Sequence, residues 1–287
     1  MNDRKLIDII REGSYSLQPI ATGLQPRGEP RDRVAAVLLD VYGTLLISGS
    51  GDSGLSEKTY RDDGRLGRLL DRHGVRRAPG DVRDAFVRSV RAVHEDKRRQ
   101  GIPFPEVRVE RIWMDVLGFD ADAARLFAVE YEIIVNPVWH MPGLEALVDR
   151  IGRCAAGRLA AGLISNAQFF TPLQLSCFLG DPPEKAGFAA DLLFYSYKTG
   201  HAKPSPVLYR AAGVGLAERG IERRNVLCMG NDMLNDIFPA EQAGFQTALF
   251  AGDGRSLRLR EDDPRCRGLE PDLVVTDLRQ LADHLCI

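Results

Sequence analysis

No run in this 287-residue chain reaches the roughly 18 apolar residues that a membrane-spanning helix needs, so no membrane span is expected. The opening residues, Met1 to Ile10, lack the long apolar core of a signal peptide. Cysteine is scarce and unpatterned: five residues, at 154, 177, 228, 266 and 286, with no C-x-x-C pair among them. That argues against a disulfide framework or a zinc site and for incidental thiols in a reducing cytoplasm. An excess of one charge is missing as well. A formal net charge of −2 does not fit a dedicated nucleic-acid binder, which should be basic. There is no internal repeat and no low-complexity tract.

What remains is the composition of an ordinary globular protein, 44% hydrophobic and 27% charged. The length suits one large domain or two modest ones. Residues 3 to 11 predict a short amphipathic helix, with Leu6, Ile9 and Ile10 on one side. Residues 12 to 33, rich in Gly, Pro and Arg, read as an extended lead-in lying over the surface, so that 1–33 is an N-terminal arm.

Val34 to Leu39 is an unbroken apolar run ending at Asp40, the pattern of a strand buried on both faces of a parallel sheet. Gly43 supplies the tight turn that follows. The Ser/Gly-rich stretch from Ile47 to Gly54 reads as a hinge or flap beside Asp40. It lacks the Lys-Ser/Thr of a nucleotide P-loop, so a phosphate cradle is the lesser reading.

From 55 to 137 the periodicity turns helical. One face is Val82, Phe86, Val90 and Val93 behind Asp81 as a plausible N-cap; another runs from Val109 to Leu117 and stops at Gly118; a third runs from Leu126 to Ile134 before Pro137. The basic stretch Arg88, Arg91, Lys97, Arg98 and Arg99 sits in a nearly neutral module and reads first as a solvated face, second as a guide for anionic substrates.

After 138, apolar strands near 158–164, 191–195, 225–229, 246–250 and 272–276 alternate with helices near 144–151, 171–179, 204–213, 234–243 and 277–286. Such alternation predicts an α/β fold, a doubly wound parallel sheet formed by 34–54 and 138–287, with the all-helical 55–137 inserted as a cap.

Three of these strands end on groups that carry chemistry. Ser165 and Asn166 bring a hydroxyl and an amide; Lys203, before Pro204 and Ser205, brings a cation; Gly230-Asn231-Asp232 to Asp236 brings two carboxylates four residues apart. Ligands in open α/β sheets sit at the carboxyl ends of strands, where Asp40 also falls. Paired carboxylates there suit a hard divalent cation.

Asp40-Val-Tyr42-Gly43-Thr44, Ser165-Asn166, Lys203-Pro204 and the 230–236 turn resemble, in order, the four motifs of the haloacid dehalogenase superfamily. The resemblance spans about 34 to 276. It implies a Rossmann-like core, Asp40 as nucleophile, Lys203 as a positive charge for the substrate, and Thr44 and Ser165 as hydrogen-bond donors, with Asn166 also at the substrate. It implies Mg²⁺ held by Asp40, the Tyr42 carbonyl, Asp232 and Asp236. The expectation is a Mg²⁺-dependent phosphatase of a small phosphorylated metabolite, acting through an aspartyl-phosphate, with no nucleic-acid or membrane partner.

Two departures keep alternatives open. One is Asn231, which stands where many relatives have Gly-Asp and shifts the expected ligand to Asp232 while keeping the Asp-x-x-x-Asp spacing with Asp236. Tyr42 stands where the phosphatases carry a general acid, and a phenol of pKa about 10 is a poor shuttle. Asp52, Glu57 or a cap residue would have to serve instead. The Asp-x-Tyr-Gly-Thr form and Ser165-Asn166 are similar to the 2-haloacid dehalogenase branch, which displaces halide without metal. The acids Asp232 and Asp236 tip the reading to the metal-dependent branch, because unpaired they would repel Asp40. A third reading is a phosphate-binding or scaffolding protein whose catalysis has decayed.

Overall fold

The computed structural model describes residues 2–51, 63–155 and 159–285. Its strands in chain order are β1 (Arg27–Gly28), β2 (Ala36–Leu39), β3 (Leu46–Ser48), β4 (Val138–His140), β5 (Ala160–Ser165), β6 (Leu193–Tyr195), β7 (Val226–Gly230), β8 (Gln246–Phe250) and β9 (Leu273–Val275). Seven of them form one sheet in the order β1-β9-β8-β7-β2-β5-β6. All pairings in it are parallel except that of β1 with β9. Every residue of β2 is buried, which is why its sequence shows no alternation: both faces of this central strand are covered.

From β2 the chain builds outward through β5 and β6, then crosses to the other side for β7, β8 and β9. The switch lies between β2 and β7, where such sheets open a crevice at their carboxyl ends. Leu39 is in register with both Leu163 and Met229, so Asp40, Ile164 and Gly230 follow side by side.

The helices are α1 (Asp3–Gly13), α2 (Asp63–Arg72), α3 (Pro79–Arg99), α4 (Val109–Leu117), α5 (Ala121–Val135), α6 (Leu144–Ala155), α7 (Thr171–Leu179), α8 (Ser196–Thr199), α9 (Pro206–Glu218), α10 (Phe238–Gln242) and α11 (Leu278–Asp283). Helices α2 to α5 make the cap. Its core is aromatic, with Phe86 stacked on Trp113 at 4.3 Å between ring centroids and the Phe127 and Tyr131 rings edge-on to the same indole. Pairs of this kind add about 0.5–1.5 kcal/mol each beyond the area they bury. Gly118, in the left-handed region at φ 70°, ends α4 as its sequence suggested. No described helix is long and apolar enough to cross a membrane.

Several expectations are corrected. Asp81 does not cap α3; the N-cap is Ala78, without a side-chain bond, and Pro79 sits at the first helical position, where its missing N–H costs nothing. The helix predicted from 204 starts at Pro206, with Ser205 as its N-cap accepting from the Val207 N–H. The 191–195 strand begins only at Leu193, after a 3-10 turn over Ala190–Leu192. The lead-in is more than a surface tether, because Arg27–Gly28 joins the sheet and Leu6 and Ile10 are buried in the same apolar cluster as the cap's Phe127 and the core's Phe170 and Leu173. Cys154 is disulfide-bonded, contrary to the expectation of thiols alone. Sequence spacing does not reveal which sulfurs the fold brings together.

The junction of cap and core was not foreseen. β3 and β4 pair antiparallel as a two-stranded ribbon, Leu46 with His140 and Ser48 with Val138. Beyond it the Gly49 N–H donates to the Pro137 carbonyl at 2.8 Å. The Asn136 amide oxygen accepts from the Ser48 hydroxyl at 2.8 Å and from Ser50, clipping the outgoing and returning segments together. Of the proposed hinge, residues 52–54 lie outside the described residues, as do the stand-in acids Asp52 and Glu57.

Candidate active site

Asp40 follows β2 directly, its backbone N–H donating to the Met229 carbonyl at 2.9 Å. The turn after it needs Gly43 at φ +80°; a Cβ there would collide with Ser256 and Asn231. Lys203 arrives from the loop before α9. The Asn166 side-chain oxygen accepts the Lys203 N–H at 2.7 Å and so fixes where that loop turns. The ammonium lies 2.8 Å from Asp40 Oδ1 and 2.5 Å from Asp236 Oδ1, and also reaches the Ile164 carbonyl at 3.4 Å. Burial alone would lower the Lys203 pKa, but the Asp236 and Asp40 carboxylates overcome it and hold the ammonium charged well above its usual range. Removing one member of such a buried pair typically costs about 3–5 kcal/mol.

The acid turn after β7 is locked from within. Asp236 stands in a single π turn over Met233–Ile237, and its Oδ2 accepts the Asp232 N–H at 2.9 Å. That fold-back brings its carboxyl onto the backbone of Gly230, where any Cβ would clash. Burial pushes the Asp236 carboxyl up, with Lys203 opposing and Asp40 and Asp232 adding to it. Asp232 caps the turn, taking the N–H groups of Leu234 and Asn235 on Oδ1 and the Asn235 amide on Oδ2. Arg260 then closes over both its oxygens, Nη2 to Oδ2 at 2.6 Å and Nε to Oδ1 at 3.1 Å.

The predicted residues therefore divide. Asp40, Lys203 and Asp236 form one contiguous chain of charge, and Asn166, Asp232 and Asn231 line the same small cavity of about 30 Å³. Thr44 and Ser165 are fully buried and are not among the residues lining either cavity. The Thr44 hydroxyl donates to Asn231 Oδ1 at 3.2 Å, and Ser165 to the Asn166 carbonyl at 3.3 Å, so both brace the site from behind. Tyr42 lines the cavity, but its hydroxyl is held by Thr171 at 2.7 Å and Gln174 at 2.6 Å on α7. Burial, with Glu132 adding repulsion, raises that phenol well above its ordinary value.

A divalent ion at this site would have to compete with the chain's own cations for the carboxylates. Among the described residues no three acidic, His or Cys side chains are disposed to hold an ion. Each carboxylate that would ligate already has a cation: Lys203 between Asp40 and Asp236, and Arg260 on Asp232. Two cations against three carboxylates lessen the repulsion that made a bound cation attractive in the sequence reading, though burial, with Asp40 and Asp232, still pushes the Asp236 carboxyl up. Arg260 and its neighbour Arg258 were missed. The signal was present in the repeated arginines of Arg255-Ser-Leu-Arg258-Leu-Arg260 just past a strand end, but nothing in the sequence ties that loop to the 231–233 turn.

Above the site a cavity of about 1600 Å³ separates cap from core, with Arg88, Arg91, His94 and Arg98 of α3 on one wall and Asn166, Arg255 and Arg258 on the other.

No family model matches the chain. No curated protein matches it either. Solved structures do. The 2-haloacid dehalogenase from Pseudomonas syringae pv. Tomato DC3000 is 18% identical, with a TM-score of 0.53 over 88% of this chain and 97% of that one. The L-2-haloacid dehalogenase RSc1362 is 15% identical, with a TM-score of 0.51 over 89% of this chain and 100% of the other. The defluorinating L-2-haloacid dehalogenase Rha0230 is 19% identical, with a TM-score of 0.50 over 92% and 100%. A mostly parallel sheet, a helical cap inserted after its first central strand, and these likenesses together give this chain the fold of the haloacid dehalogenase superfamily.

Proposed function

We propose that the chain is a hydrolase in which the Asp40 carboxylate attacks a carbon bearing a halogen, in the manner of a 2-haloacid dehalogenase and without a metal. The observation that carries this reading is that each acid of the site already touches a cation of the chain, Asp40 and Asp236 sharing Lys203 and Asp232 held by Arg260. On this reading Asp40 is the nucleophile, with a fixed ammonium 2.8 Å away.

The chemistry balances simply. An Asp40 oxygen forms a bond to the α-carbon, the carbon–halogen bond breaks, and halide leaves with the electron pair. The resulting ester is opened by water attacking its acyl carbon, which regenerates the carboxylate and releases a 2-hydroxy acid and a proton. Lys203 orients Asp40 for the first step and offsets charge on the carboxyl in the second. Asn166, whose oxygen is fixed by Lys203, has no partner for its amide N–H groups among the described residues and offers them to the substrate.

The Mg²⁺-dependent phosphatase is the second reading, favoured by Asp40, Asp232 and Asp236 all lining the 30 Å³ cavity. It requires Arg260 to release Asp232. A screen of 2-haloacids and phosphorylated metabolites, with Mg²⁺ or with chelator, decides between them. Chelator-insensitive halide release that is abolished in Asp40→Asn is expected; phosphate release that stops on chelation would replace the first reading by the second.

A further inference from the structure

The loop after β8 carries two arginines that face the site and are used differently. Arg260 closes a salt bridge to Asp232. Arg258 lines both the small cavity around Asp40 and the large one above it, yet no carboxylate meets it among the described residues. It is held by backbone oxygens alone: Nη1 donates to the Arg255 and Leu257 carbonyls at 2.7 and 3.0 Å, and Nη2 to the Gly51 carbonyl at 2.6 Å. A guanidinium has five N–H donors. Three are taken, which leaves Nε–H and one on Nη2, adjacent nitrogens of the fork that grips a carboxylate through two parallel bonds.

The residue is fixed as well as charged. Its N–H donates to the Asn231 carbonyl and its carbonyl accepts from Met233 N–H, both at 2.9 Å, so its backbone is stitched to the acid turn. Ser256, two residues earlier, supplies an independent sign of a ligand. Its side chain lines the same small cavity, is only 2% exposed, and its hydroxyl has no hydrogen-bond partner. A buried hydroxyl without a partner costs about 1–3 kcal/mol, which a bound acceptor would relieve. The site's three acids make their ion pairs with Lys203 and Arg260 and not with this guanidinium.

We infer that Arg258 and Ser256 form an anion subsite that binds the carboxylate of the substrate and thereby presents its α-carbon to Asp40. The inference rests on the haloacid reading for the identity of the reaction, but the subsite itself is testable by binding alone. Specificity for an acid over its neutral amide follows, since an amide offers the fork only one acceptor and no charge.

The test uses the full chain. Lactate and propionate binding is measured by calorimetry, and turnover of 2-chloropropionate is compared with that of 2-chloropropionamide, for wild type, Arg258→Gln, Arg258→Lys and Ser256→Ala, with the exposed Arg219→Gln as control. Arg258→Gln is expected to weaken lactate binding and raise KM for the acid about 10–100-fold, a charge-assisted bond's worth, while kcat changes far less. Arg258→Lys should recover part of that loss and Ser256→Ala should weaken binding several-fold. Wild-type affinity for lactate in Arg258→Gln overturns the subsite. If that variant does not fold, unchanged affinity in Ser256→Ala overturns it instead. Wild type that binds neither lactate nor propionate also overturns it. Dehalogenation with an unaltered KM in Arg258→Gln removes the subsite and leaves the proposed function standing. Lactate binding that depends on Arg258 in a protein that dehalogenates nothing does the reverse.

Discussion

Tyr42 shows how far a single residue's role depends on where its tip points. Its place in the chain, two residues past Asp40, is where a general acid was expected and a phenol is a poor one, and its hydroxyl is turned into α7 and bonded to Thr171 and Gln174. Those partners come from a helix far along the chain, so no local pattern reveals the orientation. Tyr42→Phe should therefore act on stability: leaving Thr171 and Gln174 without that hydroxyl costs about 1–3 kcal/mol, measured by denaturant unfolding. Turnover should be unchanged, and a collapse of kcat in a stably folded variant would restore the phenol to the chemistry. Asp40, Lys203 and Asp236 were legible because strand ends announce themselves by the loss of apolar run. Arg258 and Arg260 were not, because they reach the site by a bridge between two loops that share no sequence signal.

Among elements, long periodic helices such as α3 and α5 could be read from the chain, whereas the three-residue strands β3 and β4 are too short to show alternation. Yet that ribbon and the end of α5 hold the cap. Glu132 of α5, bonded by the Asn136 amide at 2.9 Å, is pushed by burial up to about 7. A carboxyl raised in the folded state binds a proton that the unfolded chain has already released, so the stability it contributes is present at acid pH and lost as pH rises from about 4.5 through about 7. Glu132→Gln keeps an acceptor for Asn136 and removes the ionisation. Its melting temperature should match wild type at about pH 5 and exceed it by a few degrees at about pH 8.5. Parallel curves across that range would show that another group titrates.

For the whole molecule, α1 joins what the fold otherwise keeps apart. Leu6 and Ile10 sit in one cluster with the cap's Phe127 and the core's Phe170. The amphipathic pattern of residues 3–11 was plain in the sequence, but an apolar stripe does not name the surface that receives it. Leu6→Ala should cost about 2–5 kcal/mol. Hydrogen exchange should quicken in both α5 and α7; protection lost in α1 alone would mean that it braces neither. The clip between Gly49 and Pro137 has a consequence for ancestry as much as for mechanics. Because the insertion leaves and rejoins the core at touching points, lengthening or shortening it changes only a loop-closure entropy that grows slowly with size. A lineage can thus exchange one helical insertion for another while the sheet beneath it is inherited intact.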